Sequence, residues 1–151
     1  MVDAYLKPFA AVRHVHYGAV AARRIRALLA TGTQSVRAIV LTVYEEATVY
    51  CGNRAPRTPI QAQFSLSFGV AAMLRFGDID PSVYEPARFD DPELRRLEAL
   101  VELRVDAGLT ERRQRGATLE VTQEADGATT RLRQSVDTIP GDASQPLDRA
   151  A

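Results

Sequence analysis

The stretch that most limits how this chain can fold is TPIQAQFSLSFGVAAMLRFG, residues 58–77. It opens with a helix start. Thr58 can cap, Pro59 suits the first helical position, and Gln61 completes a capping box. Within it Ile60, Phe64, Phe68 and Ala71 fall on one stripe, while Leu66, Val70, Met73 and Leu74 nearly complete a second. A helix apolar on so much of its circumference has to be buried, so the chain must supply partners on several sides. One helix ending at Gly77 is expected. Its polar residues Gln61, Gln63, Ser65 and Ser67 collect in the first half, unlike those of a merely amphipathic helix.

The flanking segments supply those partners. HVHYGAVAARRIRALLATG predicts a helix from His14 to near Ala30, closed by Gly32, with Arg23, Arg24 and Arg26 on a solvated face. SVRAIVLTVYEEATVY is rich in Val, Ile, Thr and Tyr and predicts a strand, and apolar residues on both parities predict burial on both faces. Asp91 and Pro92 start a short helix, followed by a strand near Val101, Leu103 and Val105 whose neighbours Glu102 and Arg104 face water. ATLEVTQEADGATTRLRQSVDT reads as a hairpin turning at Asp126-Gly127, with Leu119, Val121, Leu132 and Val136 on one face. This order predicts an α+β two-layer sandwich, its sheet mostly antiparallel with helices on one face. A single domain over residues 1–139 is expected, with 140–151 as a linker-like tail.

Charge and composition exclude several classes. Lys plus Arg equals 19 and Asp plus Glu equals 19, so no basic excess exists to drive nucleic-acid binding. No apolar run approaches the ~18 residues of a membrane span, and the first fifteen residues hold Asp3, Lys7, Pro8 and Arg13 rather than a secretory core. A soluble cytoplasmic domain without membrane contact is therefore expected. Cys51 stands alone, which excludes an internal disulfide and a cysteine cage. His14 and His16 are the two histidines, and they lack the third ligand a metal needs. Neither a Gly-x-Ser-x-Gly elbow nor a glycine-rich phosphate loop is present.

What remains is cationic. Lys7, Arg13, His14 and His16 cluster at one helix start, and Arg54 and Arg57 precede a second whose first turns carry Gln61, Ser65 and Ser67. Two such helix N-termini would suit a ligand with several carboxylates, gripped by arginines while a histidine or lysine moves a proton α to one of them. The competing reading is that the arginines are solvated and one histidine caps its helix.

LKPFAAVRHVH resembles the Lys-Pro-Tyr-Pro-x-Cys-Arg-His-x-His segment of the MmgE/PrpD family, the 2-methylcitrate dehydratase-like proteins. RTPIQAQFSLSFGVAAMLRFGDI is similar to that family's Pro-x-Thr-x-x-(Asp/Glu)-Ala-x-Phe-Ser-x-x-Tyr-x-Val-Ala helix, and DDPELRRLEALVELRVDAG to its next helix and strand. The resemblance covers most of residues 5–110 and implies the smaller α+β domain of a lyase or isomerase. Such enzymes transfer a proton beside a carboxylate of a di- or tricarboxylic acid, with no cofactor or metal. It implies Lys7 and His16 as catalytic groups. With the cationic pattern, it points to Arg13, His14, Arg54 and Ser65 as substrate-binding ones. Three departures stand out. The family's Cys is Val12, its Tyr is Phe68, and the helical domain that completes the site in the family is missing, the tail stopping where another helix would begin. The chain is therefore expected to be a fragment or half of a split protein, inactive without that helical domain and self-associating, as a dimer, through the face it would cover. The alternative is a non-catalytic, stand-alone binding or dimerisation module.

Overall fold

The computed structural model describes residues 9–137, so Lys7 and the tail over 140–151 lie outside the described residues. The chain runs through α1 (Arg13–Arg26), β1 (Val36–Val43), α2 (Glu45–Cys51), α3 (Pro59–Gln63), α4 (Leu66–Phe76), α5 (Pro86–Phe89) and α6 (Pro92–Leu100). It ends with β2 (Val101–Val105), α7 (Ala107–Glu111), β3 (Ala117–Ala125) and β4 (Ala128–Val136). The four strands form one sheet in the order β2-β1-β3-β4. β1 pairs parallel with β2, and the other two pairings are antiparallel. The α+β class expected from the sequence is the one observed.

Registers explain where the core sits. Ile39 lies opposite Val101 and Val121, and Leu41 opposite Leu103 and Leu119, so apolar side chains stack across three strands on one face. Both-face burial of β1 is corrected: Ala38 is exposed and Val40 and Thr42 only half-buried. A register shift between Val36 and Ala38 switches the parity, which is how Val36 and Ile39 both reach the core. The β3–β4 hairpin turns at Asp126 and Gly127, both with positive φ (54° and 76°), as a two-residue turn requires.

Three element boundaries differ from the sequence expectation. The strand stops at Val43, because Glu45 and Glu46 open a helix whose positive end favours them and whose Ala47 and Cys51, four apart, are buried. α1 stops at Arg26 rather than near Ala30, and Leu28 beyond it is half exposed. The long helix is two. Ser65 sits in extended backbone (φ −115°, ψ 117°), accepts from the Phe68 amide at 3.1 Å and donates to the Asn53 carbonyl at 2.6 Å, so it caps α4 afresh. The break rotates α3 off the core, leaving Ile60 72% and Phe64 46% exposed, whereas Leu66, Phe68, Val70, Met73 and Leu74 are buried as expected. Thr58 does cap α3, and Gly77 ends α4 in the left-handed conformation.

α1 and α4 cross in close contact on the apolar face of the sheet. A Cβ on Gly69 would lie 2.3 Å from Val15 Cγ1, and one on Gly18 would lie 3.3 Å from both Leu41 methyls. Hydrogen there lets one helix backbone approach the other and the sheet. Arg95 fastens the rest: it donates to the carbonyls of Phe89 and Pro56 and to both oxygens of buried Glu98, and lies 4.4 Å over the Phe89 ring.

Candidate functional site

α1 begins behind Val12, whose extended backbone (φ −70°, ψ 157°) supplies no side-chain cap. Its first turn is Arg13-His14-Val15-His16. Residues two apart on a helix face different ways, and the histidines divide accordingly. His16 is fully buried, its Nε2 donating to the Ala11 carbonyl at 2.9 Å and its ring lying edge-on to Phe9 at 5.2 Å. The His14 side chain keeps 17% of its surface and turns toward the end of β1 and the first turns of α2. There its Nδ1 lies 2.5 Å from the Tyr44 hydroxyl and its Nε2 3.7 Å from a Glu46 oxygen, and the ring stacks on Tyr50 at 6.0 Å.

His14 lines an open depression of about 390 Å3 together with Arg13, Glu46, Arg115, Tyr50 and Phe64. A second depression of about 360 Å3 shares Glu46 and Arg115 and extends toward Thr110 and Arg113. Arg115 thus stands on the wall common to both. Its side chain and that of Arg113 make no hydrogen bond or ion pair among the described residues.

The electrostatics follow from burial and these charges. Burial pushes His14 below its ordinary value, the Arg115 charge acts in the same direction, and Glu46 opposes both. His14 is therefore neutral at pH 7. Burial pushes the Tyr44 phenol up, Tyr17, Glu46 and Cys51 reinforcing it and Arg115 opposing. Tyr44 accordingly keeps its proton and has one to donate. We assign that proton to His14 Nδ1, which puts the ring hydrogen on Nε2, toward Glu46. The arrangement places two guanidinium groups, a neutral imidazole and an acceptor at Glu46 on one depression.

Of the residues singled out from the sequence, Arg13 and His14 line the depression, and His16 lies behind them in the core. Arg54 and Ser65 are not brought there: Arg54 Nη2 donates to the Ala99 carbonyl at 3.1 Å, and the Ser65 hydroxyl is engaged in capping. Phe68, at the position of the tyrosine in the resembling motif, is fully buried against Tyr84 and Phe89. Sequence reasoning missed Tyr44, Glu46, Tyr50 and Arg115. For the first three the available signal was the Glu45-Glu46 pair, a helix-start pattern hidden behind β-branched residues. Arg115 carried no signal, since its place depends on the turn after α7.

Two comparisons bear on this architecture. Residues 9–151 match the family model of the MmgE/PrpD C-terminal domain. Among curated proteins there is no significant match. With its helices on one face of a four-stranded sheet and its motifs in order, the chain belongs to the MmgE/PrpD family, through that family's C-terminal domain.

Proposed function

We propose that this chain is the carboxylate-binding domain of an MmgE/PrpD-like lyase or isomerase, acting on a di- or tricarboxylic acid and needing no metal or organic cofactor. The observation that carries the reading is the convergence of Arg13, His14 and Arg115 on one depression at the start of α1. Each guanidinium can donate two parallel hydrogen bonds to a carboxylate, and the positive end of the 14-residue helix favours the same charge. Removing a proton α to a bound carboxylate leaves an electron pair delocalised onto that carboxylate, and the arginines stabilise the added charge. A histidine of the first turn carries the proton, with Lys7, whose placement lies outside the described residues, activating the substrate. Phe64, which lines the depression, and the exposed Val49 and Ile60 of α2 and α3 are candidates to seat the helical domain that would complete the site.

Calorimetric titration of the full chain, alone and with a family helical domain, tests the reading. Citrate should bind clearly tighter than acetate, and the combination should dehydrate 2-methylcitrate or a related acid. Failure of either preparation to bind any polycarboxylate sinks it. The exposed apolar side chains also favour a second reading, a non-catalytic dimerisation module, in which light scattering would show a dimer and no carboxylate would bind.

A further inference from the structure

The proposed reading leaves open which histidine handles the proton, and the geometry answers it. We infer that His14 is the proton-carrying group of this site and that Tyr44 is the residue that positions it. The inference rests on the carboxylate-binding reading for its substrate, but its structural basis is separate. His16 is fully buried and its Nε2 is committed to the Ala11 carbonyl. For Nε2 to reach a ligand that bond would have to break, and for either ring nitrogen to do so the core around Phe9 would have to open. His14 instead lines the depression, together with the cations that would hold a carboxylate.

A ring carried only by its χ angles would swing in an open depression, and a proton donor must be held within a few tenths of an ångström. Tyr44 supplies the hold. It is the last residue before α2, it is 3% exposed, and its ring meets Tyr17 edge-on at 6.2 Å, so the phenol is itself fixed by packing. Its hydroxyl at 2.5 Å from Nδ1, with Tyr50 stacked on the ring face, fixes both the direction and the tautomer of His14.

The same contacts make the proton movable. Among the described residues, the titratable and charged groups around His14 are Arg13 on α1, Tyr44, Glu46 and Tyr50 at the start and along α2, and Arg115 from the loop after α7, with Tyr17 packed behind Tyr44. Without ligand, burial and Arg115 keep the imidazole neutral. A carboxylate bound at Arg115 cancels that cation and adds a negative charge beside Glu46, so the imidazolium becomes favoured. The incoming proton, taken from solvent, goes to Nδ1, and the Tyr44 hydroxyl rotates from donating to accepting. Nε2–H then serves as a charged donor to the bound ligand, and giving that proton up leaves a neutral ring with its hydrogen on Nδ1, toward the Tyr44 oxygen.

Two histidines in the chain make the test clean. Long-range 1H–15N spectra of the labelled full chain report the tautomer and titration of each ring, with citrate as the probe. His14 should be the Nε2–H tautomer in the free chain, and citrate should shift it toward imidazolium at pH 7 while His16 holds still. Tyr44→Phe removes a donor to the neutral ring, so the His14 midpoint should move to higher pH and the single tautomer should become a mixture. A ring that was only packing against Tyr44 would show neither change. His14→Gln should weaken citrate binding about tenfold, the loss of one charge-assisted hydrogen bond. Citrate that binds while His14 stays unchanged, or while His16 titrates instead, overturns the assignment. An Nδ1–H tautomer in the free wild-type chain overturns the role of Tyr44, whether or not Tyr44→Phe folds. Expected tautomers with no citrate binding leave the positioning intact and refute the carboxylate reading alone.

Discussion

Replacing Gly69 by alanine should destabilise the protein, against the ordinary preference of helices for alanine. Gly69 lies within α4, where Gly→Ala would by itself gain about 1 kcal/mol. The new methyl, however, would stand 2.3 Å from Val15 Cγ1, far inside the ~3.5–4.0 Å at which carbon atoms attract. Val15 is buried in α1 and cannot turn that methyl away, because a helical valine has essentially one χ1 rotamer. The backbones must separate instead, at an overpacking cost of about 2–3 kcal/mol for contact this short. The net loss is roughly 1–2 kcal/mol, or about 2–8 °C in Tm for a chain of this size. Urea unfolding followed by circular dichroism would read it as a lower midpoint at unchanged slope. Val15→Ala removes the opposing methyl, so the double variant should lose clearly less than the two single losses combined. Gly18→Ala is the internal control: its contacts are 3.3–3.4 Å and end on the methyls of Leu41 and Val70, so its effect should stay within about 1 kcal/mol of zero. A Gly69→Ala variant as stable as wild type, or strict additivity with Val15→Ala, would refute the helix-contact argument. Since Val15 sits between His14 and His16, the variant should also disturb the His14 spectrum.

Three further outcomes can be checked with the same chain. Ser65→Ala should cost about 1–2 kcal/mol in urea unfolding, because it removes the α4 cap and the partner of the Asn53 carbonyl together. Asp91 is held below the usual carboxylate range first by Arg75 and also by the Leu94 amide. Its stabilisation is therefore present above its unfolded value near ~4 and lost as pH falls through the lower folded value. Asp91→Asn should flatten the acid limb of the stability profile while changing stability at pH 7 by less than about 1 kcal/mol. Cys51 is fully buried, and burial pushes its thiol up to about 11, so thiol reagents at pH 7.5 should label it only at the rate of unfolding. Fast labelling of the native chain would show that α2 opens on its own.

The legible parts of the fold were those written in local chemistry. Thr58, Asp91 and Gly77 announced their helix ends, and Asp126-Gly127 announced the hairpin, because caps and tight turns involve only near neighbours. The split of the 59–77 helix was not legible. Ser65 reads equally well inside a polar helical turn or as a cap, and the choice was made by Asn53, twelve residues away, whose carbonyl takes the hydroxyl proton. The strand-to-helix switch after Val43 failed similarly, since Thr48, Val49 and Tyr50 favour strands in isolation while Ala47 and Cys51 find a core only as a helix. At the site, Arg13 and His14 were readable as a cationic helix start. Tyr44 and Arg115 join them only through sheet pairing and the turn after α7, at separations of 30 residues or more from His14.

The way α1 is packed explains why the cations stand where they do, and it carries a last expectation. From Val15 to Ala22 every residue of the helix is buried, and Gly18, Ala19, Ala21 and Ala22 are small enough to fit it between α4 and the sheet. Charge can emerge only at the two ends. At the C-terminal end Arg23, Arg24 and Arg26 complement the helix dipole, whereas at the N-terminal end it is again cations, Arg13 with Arg115 beside it, that meet the positive pole. On the carboxylate-binding reading proposed above, Arg115 stands near that pole to meet an anion, and removing its charge should relieve repulsion from the helix dipole. Arg115→Gln, an exposed substitution, should raise stability slightly at low salt, by roughly a few tenths of a kcal/mol, with the gain fading as salt screens it. Citrate should reverse the ranking: at a hundred times its Kd it adds about 2.7 kcal/mol to the wild type and much less to the variant. Thermal melts of both chains with and without citrate decide the matter. An Arg115→Gln variant that is less stable without citrate would mean that Arg115 supports the fold, and that the cations are not held in readiness for a ligand.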